Sequence, residues 1–451
     1  MNKSTTTELV SNEDLDTFVD DERGLISPHI FSSQEIYEQE LDRVFGNSWL
    51  FLAHESQIRK AGDFFTTYMG ADPILVVRQR DGSVGAFLNA CRHRGMKVCR
   101  SDQGNAKAFT CTYHGWSYDT GGKLVNVPNL SDAYNNDLET SEWGLKAVPR
   151  LEIYRGMIFG CFEDSVPPLE EFLGEFKFYM DLFFDRTEGG VEMVGGVHKW
   201  KLKGNWKLAA EQFAGDSYHA QFSHVSDFSV VIPPAKDSYT EMLVGDYGRQ
   251  AAVPEGHSAG FHEKGFPKYA ETNCDPIIDE YEASIMDEIE ARLGKKRREL
   301  SGGINGHYHV FPNLSWLGNH TFRVWHPKGP NDFECWSFIF VDKDAPDKVK
   351  DAIRLSTQNQ FSAAGMAEQD DGENWGLIGS NFAGRGREIH KMSLNYSMAA
   401  NTPRDDDPDL PGWILRQGFG EMPQRLFYRR WRELMKNESY TVPVPFEQTA
   451  P

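Results

Sequence analysis

One stretch, CRHRGMKVCRSDQGNAKAFTCTYH at residues 91–114, constrains this chain more than any other. It holds Cys91-x-His93 and Cys111-x-x-His114, with seventeen residues between the two pairs. One thiolate and one imidazole, given twice, is the ligand set of a [2Fe–2S] cluster in which two cysteines hold one iron and two histidines the other. Neutral imidazoles in place of two thiolates leave such a cluster less negative and easier to reduce. A structural zinc site can use the same Cys2His2 set. Zinc fingers, however, pair Cys with Cys and His with His, whereas each half here mixes the two. Cys99 falls between the pairs and would break their symmetry. The flanks predict two hairpins. PILVVRQ (73–79) and VGAFLNA (84–90) alternate as strands around Asp81-Gly82, and AFTC, SYD and KLVNV follow with Thr120-Gly121-Gly122 between the last two. The ligands are therefore expected on two loops at hairpin tips, near the surface, with Tyr113 and Trp116 either shielding them or simply packing.

The chain has 451 residues, enough for two or three domains, and 39% hydrophobic with 25% charged residues is a globular composition. A net charge of −20 argues against nucleic acid or an anionic membrane as partner. No apolar run reaches a membrane span and the first residues lack the apolar core of a signal peptide, so a cytoplasmic location is expected. Six cysteines do not make a disulfide framework, and Cys161, Cys274 and Cys335 read as buried or idle thiols. The expected fold class is α+β: a mostly β domain over residues 48–165 beside a larger domain, 1–47 and 166–451, with an antiparallel sheet flanked by helices. Residues 1–30 read as polar and loosely held. Ser32 and Glu35 have the spacing of a capping box for a helix through Tyr37, Leu41, Val44 and Phe45. Asp275-Pro276 opens a helix with Ile278, Tyr281, Ile285 and Ile289 inward and Gly294 at its end. Strands are expected at 321–325 and 334–341, and a last helix packs Phe427, Trp431 and Leu434.

A second site lies in NWKLAAEQFAGDSYHAQFSH, residues 205–224. Read as a helix, it buries Trp206, Ala209, Ala210, Phe213 and Ala220, turns Lys207 and Glu211 to solvent, and carries a polar stripe of Asn205, Gln212, Asp216 and His219. Polar groups bordering a buried face cost stability unless they have partners, and a metal or a lined cavity would supply them. His219 and His224 are about 140° apart on an ideal helix, so both can bind one ion only if the helix ends or distorts just after His219. Two histidines and one carboxylate on one face of an ion form the triad of non-haem Fe(II) oxygenases, with positions left open for O2. Asp370 and Asp371, in FSAAGMAEQDDGENW, are the candidates for the carboxylate. A second pair, His307-x-His309, has no evident third ligand nearby.

Together, CRHRGMKVCRSDQGNAKAFTCTYHGW, NWKLAAEQFAGDSYH and EQDDGENW resemble the large (alpha) subunit of the Rieske non-haem iron aromatic-ring-hydroxylating dioxygenases, the biphenyl, toluene and naphthalene dioxygenase family, over nearly the full length. The resemblance implies that Cys91, His93, Cys111 and His114 hold a Rieske [2Fe–2S] cluster, and that His219, His224 and Asp371 hold a mononuclear Fe(2+). It implies that Asp216 links the two centres, bonded to His219 of its own chain and His114 of a neighbouring one. Four residues separate His219 from His224, as in naphthalene-type members, whereas Gln212 and EQDDGENW lean toward the biphenyl type. The implied reaction inserts both atoms of O2 into a hydrophobic aromatic ring, giving a cis-dihydrodiol. Electrons would come through a separate ferredoxin or reductase, since SGGING (301–306) lacks the strand–turn–helix context of a dinucleotide fingerprint. Assembly is implied as a homotrimer with a small beta subunit. The substrate pocket is expected to draw on Gln212, Phe213, Ser217, Ala220, His309, Phe311, Leu317, Phe361 and Ala367, an apolar and aromatic lining. A Rieske monooxygenase or O-demethylase would use the same metals, and a pure electron carrier would lack the second iron.

Overall fold

The alternation in 73–79 and 84–90 folds as a hairpin, Asp72–Arg78 against Val84–Leu88, with Ile74 opposite Leu88 and Val76 opposite Ala86. In the computed structural model, which describes residues 10–231, 248–262, 275–301, 306–318, 320–384, 388–405 and 407–438, this hairpin belongs to one of two units, Phe45–Leu169. Asp63–Met69 and Gln103–Asn105 extend it to four strands. A second sheet orders Leu124–Asn126, Ser117–Asp119 and Ala108–Thr110, so the second expected hairpin is also present. Arg150–Tyr154, Met157–Cys161 and Leu50–His54 make a third. Cys91, Cys111, Trp116 and Tyr118 are buried together with Phe64, Leu75 and Phe109 in this unit's core.

The other unit, Met1–Val44 with Glu170–Pro451, is built on a nine-stranded sheet with every pairing antiparallel. The two strands expected at 321–325 and 334–341 are longer, Thr321–Gly329 and Asp332–Asp342, and Val191–Lys203 pairs with the second of them. The expected helix after Pro276 is Ile277–Leu293, with Ile278, Ile285 and Ile289 buried and Gly294 closing it at φ +87°. The last helix is Met422–Met435, and Phe427, Trp431 and Leu434 are buried as its pattern requires.

Three local expectations are corrected. The segment before residue 31 is folded from residue 12: Asn12–Phe18 is a helix capped by Ser11, and Leu15, Val19, Ile26 and Ile30 are almost wholly buried. Its few apolar residues suffice because each finds a core position. The next helix, Gln34–Arg43, is capped by Ser33 rather than Ser32; the Ser33 hydroxyl accepts from the Ile36 N–H at 3.2 Å. The third correction concerns Lys207 and Glu211, which are buried, not solvated. Lys207 donates to Glu40 of the capped helix, and Glu40 also accepts from the indole N–H groups of Trp206 at 2.9 Å and Trp431 at 2.7 Å. A charge can be buried when it is paired and its remaining lone pairs are filled. The partner lies on a distant segment, which no local periodicity reveals.

Glu40→Ala leaves the Lys207 ammonium buried without a counter-charge, a loss of about 3–5 kcal/mol. Urea unfolding of the variant should show that loss, while a surface substitution such as Glu38→Ala should leave the midpoint in place.

Candidate metal centres

The two halves of residues 91–114 form equivalent turns. Cys91 donates its N–H to Met96 O at 2.8 Å and Cys111 donates to Trp116 O at 2.8 Å. Each turn is closed by a glycine four residues on, Gly95 to Cys91 O at 2.8 Å and Gly115 to Cys111 O at 2.9 Å, at φ +73° and +77°. Left-handed backbone is nearly free for glycine and costly for other residues, so the same chain reversal is encoded twice. Both cysteines are buried, and the His93 and His114 rings stand 4.4 Å apart. Trp116 is buried and stacked on His93 at 5.2 Å, whereas Tyr113 is 58% exposed beside His114. Tyr118 places its hydroxyl 3.3 Å from Cys91 Sγ and accepts the Arg92 N–H at 3.0 Å. Among the described residues, one set of three ligand atoms falls within 4.8 Å of one another, and it is not in these loops. A single tetrahedral zinc requires such convergence; ligands divided between two irons do not.

That convergent set is His219, His224 and Asp371. His219 Nε2 lies 3.2 Å from His224 Nε2 and 3.4 Å from Asp371 Oδ1, and His224 Nε2 lies 3.3 Å from the same oxygen. Cis ligands on an octahedral ion with bonds of about 2.1 Å are about 3 Å apart, so this triangle fits one face of such an ion. The helix before the first histidine is short. It runs Trp206–Phe213, is capped by Asn205, and gives way at Gly215 before a new turn, Ala220–Ser223. The expected break just after His219 is not there: the chain breaks before it. His219 and His224 instead flank the single turn Ala220–Ser223 as its N-cap and C-cap, with their Nε2 atoms meeting across it. Asp371 comes from the helix Met366–Ala383 and is buried.

The outer nitrogens are also engaged. His219 Nδ1 is 3.3 Å from Asp216 Oδ2 and His224 Nδ1 is 3.2 Å from Asp370 Oδ2. Each ring thus points Nε2 inward and rests its other nitrogen on a carboxylate, the bracing that orients metal-ligating histidines. The neighbouring aspartates therefore have different surroundings: Asp371 faces both Nε2 atoms, while Asp370 stands behind His224. The bracing position of Asp370 was not anticipated from the sequence; the adjacent pair in a helix that supplies one carboxylate was its only signal. Burial pushes the His219 pKa down, but the Asp216 and Asp371 carboxylates outweigh it and raise it to about 9. Asp216 is correspondingly held below its ordinary value, because His219 outweighs the opposing effect of burial.

The polar stripe divides. Asn205 caps the helix and donates to Pro330 O at 2.8 Å, away from the triad, whereas Gln212 accepts from Trp375 Nε1 at 2.8 Å and lies 3.4 Å from His219 Nε2. Ser217 Oγ lies 3.3 Å from His307 Nε2, and Leu317 is paired with His307 across the sheet. Phe213 and Phe361 both flank the guanidinium of Arg323, at 4.9 and 5.4 Å, and Arg323 is paired with buried Glu368 beside Ala367. His309 and Phe311 are buried against Phe427 at 5.4 and 5.2 Å. Ala220 opens the turn between the two histidines. A recess of about 580 Å³ reaches Gln212, Asp216 and His219 from outside, walled by Glu211, Trp375, Tyr396 and Glu421. Cys274 lies outside the described residues, as do positions 302–305 of SGGING.

The triad is a donor set that one octahedral ion would accept. Comparison with known proteins carries this further. Residues 48–149 match the Rieske [2Fe-2S] domain and residues 191–437 match the ring hydroxylating alpha subunit (catalytic domain). Benzene 1,2-dioxygenase subunit alpha of Pseudomonas putida is 43% identical over 95% of this chain and 94% of that protein. Biphenyl 2,3-dioxygenase subunit alpha of Rhodococcus jostii is 43% identical over 95% and 93%. A crystal structure of naphthalene 1,2-dioxygenase from Rhodococcus sp. bound to indole superimposes with a TM-score of 0.84 at 35% identity, over 95% of this chain and 98% of that one. The chain belongs to the alpha subunits of the aromatic-ring-hydroxylating dioxygenases. It is an enzyme whose cofactors are a Rieske [2Fe–2S] cluster and a mononuclear iron. No helix among the described residues is long and apolar enough to cross a membrane.

A methyl at Gly115 would meet the Pro128 ring at 2.7 Å and force an L-residue to φ +77°. Gly115→Ala should cost about 1–2 kcal/mol from backbone strain alone and shift the second turn. The visible absorbance of the [2Fe–2S] cluster per chain should fall, while the mononuclear iron content stays the same.

Proposed function

We propose that Cys91, His93, Cys111 and His114 hold the cluster and that His219, His224 and Asp371 hold the mononuclear iron. The observation that carries this reading is the near-equilateral triangle of His219 Nε2, His224 Nε2 and Asp371 Oδ1, with sides of 3.2–3.4 Å. When bound there, a ferrous ion supplies open coordination positions for O2 and the electrons that a closed-shell arene cannot. The protein's share is to fix the three ligands by their braces and to leave the opposite side of the ion free. Asp216 fixes His219 and opens onto the recess, where it is placed to accept a hydrogen bond from outside. It serves as the link to His114 of a neighbouring chain in a trimer. A charge pattern supports that link. The cluster loops carry exposed Arg94, Lys97 and Arg100, while the recess carries Asp216, whose carboxylate is favoured by His219.

The substrate is a small hydrophobic arene, oxidised with both atoms of O2 to a cis-dihydrodiol, with electrons from a separate ferredoxin or reductase. Phe213, Phe361 and Leu317, with Ser217, Ala220 and Ala367 beside them, supply the apolar lining, and a small beta subunit completes the assembly. Turnover of mono-, bi- and polycyclic arenes under labelled O2, in the presence of an electron-transfer system, tests the reaction. Two labelled oxygens per product are expected; a single one would turn the assignment to monooxygenation.

Iron binding should be coupled to protons with a definite sign. With no metal bound, His219 keeps its proton below about pH 9, and a ligand must lose its proton to coordinate. Fe(II) uptake at pH 7.5 should therefore release about one proton per chain, and apparent affinity should fall about tenfold for each pH unit below 9. Titration calorimetry in buffers of differing ionisation enthalpy measures the release. Asp216→Asn removes the carboxylate that raises His219, so the release should shrink. The same variant should keep both metal centres while turnover drops by at least about tenfold. Unchanged turnover would remove Asp216 from the link.

A further inference from the structure

Gln212 is the next-to-last residue of the helix Trp206–Phe213, and the two ends of its side-chain amide meet different groups. One end lies 2.8 Å from the indole Nε1 of Trp375, the other 3.4 Å from His219 Nε2. The neighbours of an amide decide which end is oxygen and which is nitrogen. An indole N–H can only donate, so the atom facing Trp375 is the carbonyl Oε1, and the NH2 group is the end turned to His219. Because His219 Nδ1 rests 3.3 Å from Asp216 Oδ2, the ring meets this amide with the lone pair of Nε2. That is the lone pair which an ion held by His219, His224 and Asp371 would take. The tip of Gln212 therefore stands at the rim of the triad. An amide nitrogen delocalises its lone pair into the carbonyl and has none to give a cation, whereas an amide oxygen is an ordinary ligand of hard ions.

Trp375 is itself firmly placed. It is 2% exposed and packs edge-on against Trp325 at 5.6 Å. It follows Asp371 by four residues on the helix Met366–Ala383, and residues so spaced share one helix face. The element that delivers the ligand carboxylate thus also delivers the indole that turns the amide. Among the described residues, that indole supplies the hydrogen bond Gln212 Oε1 accepts. We propose that Trp375 is a positioning residue for the iron site: its N–H pins Gln212 with the amide nitrogen toward the triad and so keeps the amide oxygen from becoming a fourth protein ligand. A triad on one face of an octahedral ion leaves the opposite positions open, as O2 binding requires, and a glutamine oxygen would close one of them. The inference rests on the reading of His219, His224 and Asp371 as the iron site.

Nitric oxide is the probe, since it binds an open position of non-haem Fe(II) and gives an EPR signal distinct from that of the cluster. The full chain carrying both metal centres is titrated with it. Trp375→Phe keeps an aromatic ring and removes the donor, so the amide can turn over, and apparent affinity for nitric oxide should fall about tenfold. The double variant Trp375→Phe with Gln212→Leu has no amide oxygen, and its affinity should return to that of the natural protein. A mere packing defect at Trp375 would not be repaired by the second substitution. Unchanged affinity in Trp375→Phe, or no recovery in the double variant, overturns the proposal. Should Trp375→Phe fail to fold, Gln212→Glu leaves the indole in place. One carboxylate oxygen then accepts from Trp375 and the other replaces the amide nitrogen at the rim of the triad. Affinity for nitric oxide should again fall about tenfold or more, and an affinity equal to that of the natural protein overturns the proposal. Asp371→Ala separates the two readings. A nitric oxide signal that survives it removes the triad as the iron site. A signal lost there, with Trp375→Phe binding nitric oxide normally, removes only the role of Trp375.

Discussion

The break in the chain after Phe213 is the constraint on which the candidate iron site depends. It falls before both histidines, so it sets the direction of the short turn Ala220–Ser223 that His219 and His224 flank. The break is held by packing and not left to the loop. Gly215 sits at φ +156°, and a Cβ on Gly260 of the sheet would come within 3.2 Å of its Cα. The amide of the buried Gln250 donates to Gly215 O at 2.8 Å and to Gly420 O at 2.7 Å, tying the break to the sheet and to the segment before the last helix. A free backbone carbonyl at a helix end is satisfied by a side chain that also fixes where the chain goes next. His219 is placed by that exit direction.

The same segment shows what a sequence can and cannot reveal. The cluster motif was legible because its ligands are local and its turns repeat: Cys91 and Cys111 open identical reversals, each needing a glycine. The triad was legible only in part. His219 and His224 are close in sequence, but the direction in which both face depends on a break that the pattern of Trp206, Ala209, Ala210 and Phe213 does not announce. Lys207 and Glu211 were misread for a related reason. Charged residues at that phase of a helix normally face water, and here their partners arrive from Glu40, Tyr396 and Tyr428, which are near only in the fold. Strands and helices with a clear period, such as Asp72–Arg78 or Ile277–Leu293, needed no such information.

The larger unit buries several charges besides Lys207, and each is neutralised from a distance. Arg186 is held between Glu282 and Asp342, with contacts of 2.6–3.1 Å, and ties the helix Ile277–Leu293 to the end of the strand Asp332–Asp342. Arg323 pairs with Glu368 one turn before Asp371 on the same helix. Breaking one partner of such a pair is expensive, although the intact pair adds little net stability. Their value lies in position: Glu40 fixes the helix that precedes His219, and Glu368 fixes the helix that carries Asp371. The supports of the triad are therefore electrostatic on two sides, while Trp325 packs against both Phe213 and Trp375.

The two bracing carboxylates differ from the third in a way that orders the field around the iron. Asp371 is 8% exposed at its side chain, whereas Asp216 and Asp370 are 33% and 36% exposed. The charge that faces the metal is dry and interacts at low dielectric, while the charges behind the two imidazoles are partly screened by water. A screened brace can orient a ring and favour its protonated form without competing for the ion. Dehydrating Asp216, by covering the recess, would strengthen its hold on His219 without moving an atom of the triad. The outer face of the site is thus the place where a change in hydration alters the electrostatics of the triad.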